Sequence, residues 1–167
     1  WFDYILLNAL LSDILYMVIE MDKILTFIVN EYNEILLLEG SENDPQFKKS
    51  FWYVVTGGCE EYDLDREETV KREVEEETGL LTNNNIYLNW ILKYESLGVE
   101  CKEYVYISFV TKDNVILNEE SIDYKWCSFQ EFIEQINWFG DKKILEKVLS
   151  LAIQKQLFFK EEKTDKF

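Results

Sequence analysis

The chain has 167 residues, 33 acidic and 17 basic side chains, a formal net charge of −16 and no histidine. That length suits one domain with a proper core, and a hydrophobic content of 47 % places it among globular chains, not disordered ones. The charge opposes polynucleotide backbones and anionic membrane surfaces, and the missing imidazole excludes Ser-His-Asp and Cys-His catalysis and His-ligated zinc.

Residues 1–20 are strongly apolar but carry Asp3 and Asp13, lack a basic leading segment and start at Trp1. They make a poor signal peptide and a poor membrane span. They read either as a non-native or upstream-derived extension or as a helix packed on the domain or a partner. From Lys23 the pattern turns to strands. Ile24–Val29 and Ile35–Leu38, separated by the polar Glu31–Asn33, predict a hairpin. Gly40–Lys49 holds the only proline, Pro45, and reads as a loop; Phe51–Thr56 reads as one strand ending at Gly57-Gly58.

A helix is predicted over Arg66–Thr78. Asp65 is placed to cap it, with Glu68 three residues on in a capping-box arrangement, and Gly79 suits the left-handed residue past its end. Strands are predicted at Ile86–Tyr94, Glu103–Val110 and Tyr124–Phe129, then helices at Glu131–Ile136 and Lys142–Leu157. The result is one mixed α+β domain over 21–160 with a frayed tail at 161–167. Cys59, Cys101 and Cys127 show no CxxC spacing, which points to packed or surface thiols in a reducing, cytoplasmic setting without a disulfide framework.

The acidic helix carries the chemistry. Glu73, Glu76 and Glu77 stand at i, i+3 and i+4 and share one face, while Val70 and Val74 form a separate apolar stripe and Glu67, Lys71 and Glu75 a solvated face. Carboxylates gathered this way repel unless a cation compensates them, and hard oxygen ligands suit Mg²⁺ or Mn²⁺. The plain alternative is a solvated acidic face. With no histidine present, the base for a hydrolytic water would be a carboxylate or a metal-bound hydroxide.

The segment Gly58–Leu80 resembles the Nudix box, G-x5-E-x7-R-E-U-x-E-E-x-G-U, without a gap over 23 positions. Gly58, Arg72-Glu73-Val74, Glu76-Glu77 and Gly79-Leu80 match; Leu64 stands where the family has its first glutamate. The resemblance implies an α/β/α sandwich with a mixed sheet and a loop–helix–loop metal site. It also implies Mg²⁺-dependent hydrolysis of a phosphoanhydride in a nucleoside di- or triphosphate derivative. Glu73, Glu76 and Glu77 would hold metal, and Arg72 would orient a glutamate. Leu64 leaves Arg72 in need of another partner, with Glu68 and Glu76 at helical spacing, and Asp63 or Asp65 could stand in near the metal. FWYVVTGG and ESIDYKW are similar to segments of the dihydroneopterin triphosphate diphosphatase branch, which would make Glu120 a further metal ligand or general base, with Glu119 its nearest rival.

Gly57 and Gly58 are expected to let the backbone turn tightly into the site. Lys48 and Lys49 could meet phosphate where the family often has arginines, or be solvated loop lysines. Trp52 either stacks on a heterocycle or packs in the core; Tyr124 and Trp126 are expected to pack the closing strand, and Trp90 and Trp138 to join the core or a dimer face. The expected partner is a small polyphosphorylated substrate, with no nucleic-acid polymer and no membrane; family members are often homodimers. The rival reading is a non-catalytic Nudix-like module that binds a nucleotide or a protein.

Overall fold

The computed structural model describes residues 20–41, 51–96 and 98–159. The expectations for residues 1–19, for the Pro45 loop with Lys48 and Lys49, and for the tail fall outside these residues.

Among the described residues, seven strands and three helices follow in the order β1 (Glu20–Val29), β2 (Ile35–Gly40), β3 (Phe51–Tyr53), β4 (Val55–Gly58), α1 (Arg66–Thr78), β5 (Thr82–Ser96), β6 (Val99–Val110), β7 (Ser121–Cys127), α2 (Phe129–Gln135) and α3 (Lys142–Phe159). β1 pairs in parallel with β6 along its whole length and antiparallel with β4, and β5 lies outside β6. β2 is flanked by β3 and β7, both antiparallel. The two groups join at the predicted hairpin, where Val29 faces Ile35.

Phe51–Thr56 is therefore not one strand but two. The chain leaves the β2 ladder after Tyr53 and enters the β1 ladder at Val55. Its run of β-formers says only that the segment is extended; the choice of partner is tertiary. Phe129 likewise begins a helix. Ser128 caps α2 and Glu131 completes a capping box, which the Ser-x-x-Glu spacing could have shown.

The sheet is apolar on both faces because alternate residues of β1 and β6 point to opposite sides. Ile24, Ile28, Tyr106 and Val110 meet Val70 and Val74 of α1, so the valine stripe packs as its spacing requires. Leu25, Phe27, Val105 and Ile107 meet Phe132, Leu145 and Leu149 of α2 and α3. Helices thus cover both sides of a mixed sheet. Cys101 and Cys127 are buried free thiols and Cys59 is half-buried. No helix among the described residues is long and apolar enough to cross a membrane.

Candidate active site

The site is built where α1 meets the end of β4. Asp65 caps α1 by accepting the Glu68 N–H at 3.0 Å, and Gly79 closes it at φ 69°. Only half of the expected capping box forms, since the Glu68 carboxylate pairs with Lys71 at 2.9 Å. These ends fix the rotation of the helix, and with Val70 and Val74 facing the sheet, Glu67, Lys71 and Glu75 are left exposed. Glu73, Glu76 and Glu77 lie between those faces, graded from half-buried Glu73 and exposed Glu76 to Glu77, which is 6 % exposed.

Glu73 sits against Gly57. A Cβ at that residue would overlap the Glu73 carboxyl group, whereas a Cβ at Gly58 would meet nothing within 4 Å. Neither glycine has positive φ, and both belong to β4. The expected tight turn is absent. What Gly57 supplies is close approach of backbone to side chain, and Gly58 supplies a carbonyl that accepts from Arg72 Nη2 at 2.9 Å.

Arg72 organises the cluster. Its Nε and Nη2 donate to the two carboxylate oxygens of Asp63 at 3.1 and 2.9 Å, and its Nη1 donates to Glu73 at 2.7 Å and, more distantly, to Glu76 at 3.4 Å. Asp63 also accepts the Thr69 hydroxyl at 2.9 Å and the Glu60 N–H at 3.0 Å. The Arg72 guanidinium, helped by these donors, holds Asp63 well below the usual carboxylate range, and Asp63 in turn raises Arg72. Leu64 is 91 % exposed and takes no part. The arginine partner has moved one residue back along the chain, so Asp63 fills the gap that Leu64 opens and Asp65 is engaged as the cap.

Glu120 arrives from the segment before β7, whose Val115 and Leu117 pack on the α1 side of the sheet. The Ile116 N–H donates to the Thr78 carbonyl at 2.8 Å, tying the segment before β7 to the end of α1. The exposed turn that follows brings the Glu120 charge within reach of Glu73 and Glu77. Burial pushes the Glu77 carboxyl well above its ordinary range; Glu120, Glu73 and Glu76 push it further, and the Thr56 N–H pulls partly back. Glu73 is raised by burial, against Arg72, with Glu76 and Glu120 adding to the rise. Glu119 enters neither interaction. The four carboxylates of the sequence reading therefore share one electrostatic site. They do not converge as a closed cage, however: among the described residues no three acidic or thiol groups stand in metal-holding geometry. The Glu73 carboxylate is turned toward Arg72 instead.

Trp52 is not with them. It packs on the cluster beneath α2 and α3, and the Lys125 Nζ lies 3.6 Å from its ring centroid. Trp90 and Trp138 also belong to that core, in mutual contact at 5.7 Å. Of the two residues expected to pack the closing strand, Trp126 packs on the α1-side cluster, while Tyr124 is exposed.

Residues 21–148 match the NUDIX domain model. The chain belongs to the Nudix family. Its fold is that of solved Nudix structures. The MutT protein from Methanosarcina mazei Go1 superposes with a TM-score of 0.63 at 23 % identity, covering 84 % of this chain and 97 % of the other. An Ap4A hydrolase from C. elegans gives 0.62 at 19 %, with 83 % and 99 % covered. The E. coli dihydroneopterin triphosphate pyrophosphohydrolase gives 0.58 at 18 %, with 75 % and 92 % covered. No curated protein matches the sequence. The Nudix hydrolase reading of the box is borne out, including its α+β fold.

Proposed function

We propose that this Nudix hydrolase cleaves a phosphoanhydride bond in a small nucleoside di- or triphosphate derivative with the help of a divalent cation. A nucleoside triphosphate and dihydroneopterin triphosphate are the substrates to test first. The observation that carries the reading is the buried Glu77 carboxyl group surrounded by the charges of Glu73, Glu76 and Glu120. One guanidinium, already engaged by Asp63, does not offset four carboxylates. The donors are all hard oxygens, which fits Mg²⁺, with Mn²⁺ as substitute.

In this reading Glu73, Glu76, Glu77 and Glu120 would hold the ion. A bound ion would supply charge neutralisation to the polyphosphate and a lowered pKa to the attacking water. Arg72, fixed by Asp63 and the Gly58 carbonyl, positions Glu73 and Glu76. The Thr56 N–H and the surrounding core hold Glu77 in place. Glu120 and Glu76 are the two carboxylates exposed to solvent, which supports one of them as the group that accepts a proton from water. Gly57 lets the Glu73 carboxyl group lie directly against the β4 backbone, and only Gly58 faces open space. Lys48 and Lys49 remain candidates for a phosphate contact, and Trp52, covered by Lys125, is a weaker platform for a heterocycle than the sequence suggests. The domain proposed to do this spans 21–160.

The test is pyrophosphate and phosphate release from a panel of nucleoside triphosphates, dihydroneopterin triphosphate, ADP-sugars and dinucleoside polyphosphates, with Mg²⁺ or with EDTA. Release that needs Mg²⁺ and disappears in Glu77→Gln supports hydrolysis. Metal-dependent nucleotide binding without release from any compound would favour the non-catalytic module instead.

A further inference from the structure

Across β1 from the acidic cluster lies a second carboxyl group that the chemistry above does not use. Glu103 of β6 is 4 % exposed, on the face opposite α1. Burying a carboxylate is costly unless it is paired and fully hydrogen-bonded. Among the described residues its compensation is thin: the Tyr94 hydroxyl donates at 3.3 Å, and Lys23 lies beside it on the neighbouring strand. An O–H···O⁻ bond is ordinarily about 2.5–2.7 Å long, so this one is weak. Burial pushes the Glu103 carboxyl up, against the pull of Lys23 and Tyr94.

The surroundings are aromatic and reached by solvent. Tyr53 feels the Glu103 charge, its ring stacks on Trp138 at 6.0 Å, and Trp90 touches Trp138. Tyr53, Trp90, Trp138, Lys23 and Leu92 are only half-buried. The strand register also ties this group to the active site: Lys23 pairs with Gly58 on one side and with Glu103 on the other. Two strand spacings separate Glu103 from Gly58, roughly 10 Å of backbone, and the Gly58 carbonyl holds Arg72. One nucleotide can span that interval.

We infer that Glu103 reads the heterocycle of the substrate, accepting paired hydrogen bonds from a ring N–H and an adjacent exocyclic amino group, the edge shared by guanine and 2-amino-4-oxopterins. A carboxylate facing two parallel N–H donors is a strong, directional pair, and it can displace the long Tyr94 bond. The aromatic residues supply the stacking that such rings need. Adenine and hypoxanthine lack the paired donors. This assignment rests on the hydrolase reading for its ligand class, but its test does not need turnover.

The experiment is calorimetric binding of GMP, IMP and dihydroneopterin monophosphate to the full chain with Mg²⁺, compounds with no anhydride to cleave. The wild-type protein should bind GMP or the pterin at least about tenfold more tightly than IMP, and whichever is tighter identifies the source of the shared edge. In Glu103→Gln the preference over IMP should shrink to within about twofold, with the thermal unfolding midpoint retained. As a measurement on wild-type protein alone, 1-methyl-GMP, whose ring N–H is blocked, should bind no better than IMP. Equal affinity for all ligands, a preference unchanged in a folded Glu103→Gln, or tight binding of 1-methyl-GMP would each overturn the assignment. A protein that discriminates in binding yet hydrolyses nothing refutes the hydrolase reading and leaves this one standing.

Discussion

Replacing Asp63 by Ala tests whether the arginine partner has truly moved. The substitution removes both bonds to Arg72 and the acceptor for Thr69 and the Glu60 N–H. The Asp63 side chain is 6 % exposed and that of Arg72 19 %, so water compensates little. Breaking a buried pair by removing one partner costs about 3–5 kcal/mol. Arg72 keeps Gly58 and Glu73, which lowers the expected loss to about 2–3 kcal/mol. For a domain of this size that is a fall in Tm of about 5–10 °C. Because Arg72 orients two of the proposed metal ligands, Mg²⁺ affinity and turnover should drop together by about 10–100-fold. Leu64→Ala, at an exposed position one residue away, should leave both unchanged. The assay is thermal unfolding, read beside Mg²⁺ titration of pyrophosphate release. An Asp63→Ala protein within about twofold of wild type in metal affinity and unchanged in midpoint would refute the argument, as would a large loss in Leu64→Ala.

The adjacent glycines should separate in the same way. Gly57→Ala drives a methyl into the Glu73 carboxyl group and should lower Tm by several degrees and activity at least about tenfold, while Gly58→Ala meets open space and should do neither. Glu77→Gln should abolish Mg²⁺-dependent release yet raise the Tm of metal-free protein, because it removes one buried carboxyl from a cluster of like charges. The pH dependence follows from the same group. Its folded pKa lies above the ordinary 4.5, so the folded state holds that proton more tightly than the unfolded chain. The stability this contributes is complete below about 4.5 and is lost as pH rises through the folded value. Unfolding midpoints measured in EDTA should therefore fall with rising pH more steeply for wild type than for Glu77→Gln, and Mg²⁺ should remove the difference.

The helix was readable because its signals are local. Asp65, Gly79 and the Val70–Val74 spacing act within one or two turns, and they set α1 with its faces as observed. The electrostatic link from Glu77 to Glu120 was suggested by a short signature but depends on the Ile116–Thr78 hydrogen bond, which no local pattern encodes. Splitting FWYVVTGG between two ladders is beyond a propensity argument, since both halves are good strand. Trp52 shows the same limit: its β3 position packs it against the α2–α3 core, and Lys125 from β7 takes its ring face.

Asp63 and Glu103 carry the sharper lesson. A motif is a list of positions, but the physical requirement at the first box glutamate is a buried carboxylate against the guanidinium of Arg72. In the loop before α1, Asp63 delivers that carboxylate from the neighbouring position with a shorter side chain, and the Thr69 hydroxyl and Glu60 N–H fix its aim. Read by position, Leu64 looks like a lost contact; read by charge and geometry, the contact to Arg72 has a different bearer in Asp63. Glu103 is the converse. Within a run of β-formers it looks like an ordinary solvated strand residue, and only the register, with Lys23 on one side and Leu92 on the other, shows that it is buried among rings. A glutamate buried there carries a desolvation cost that a ligand donating to it would offset, whereas a core role would be served as well by an apolar side chain of similar volume.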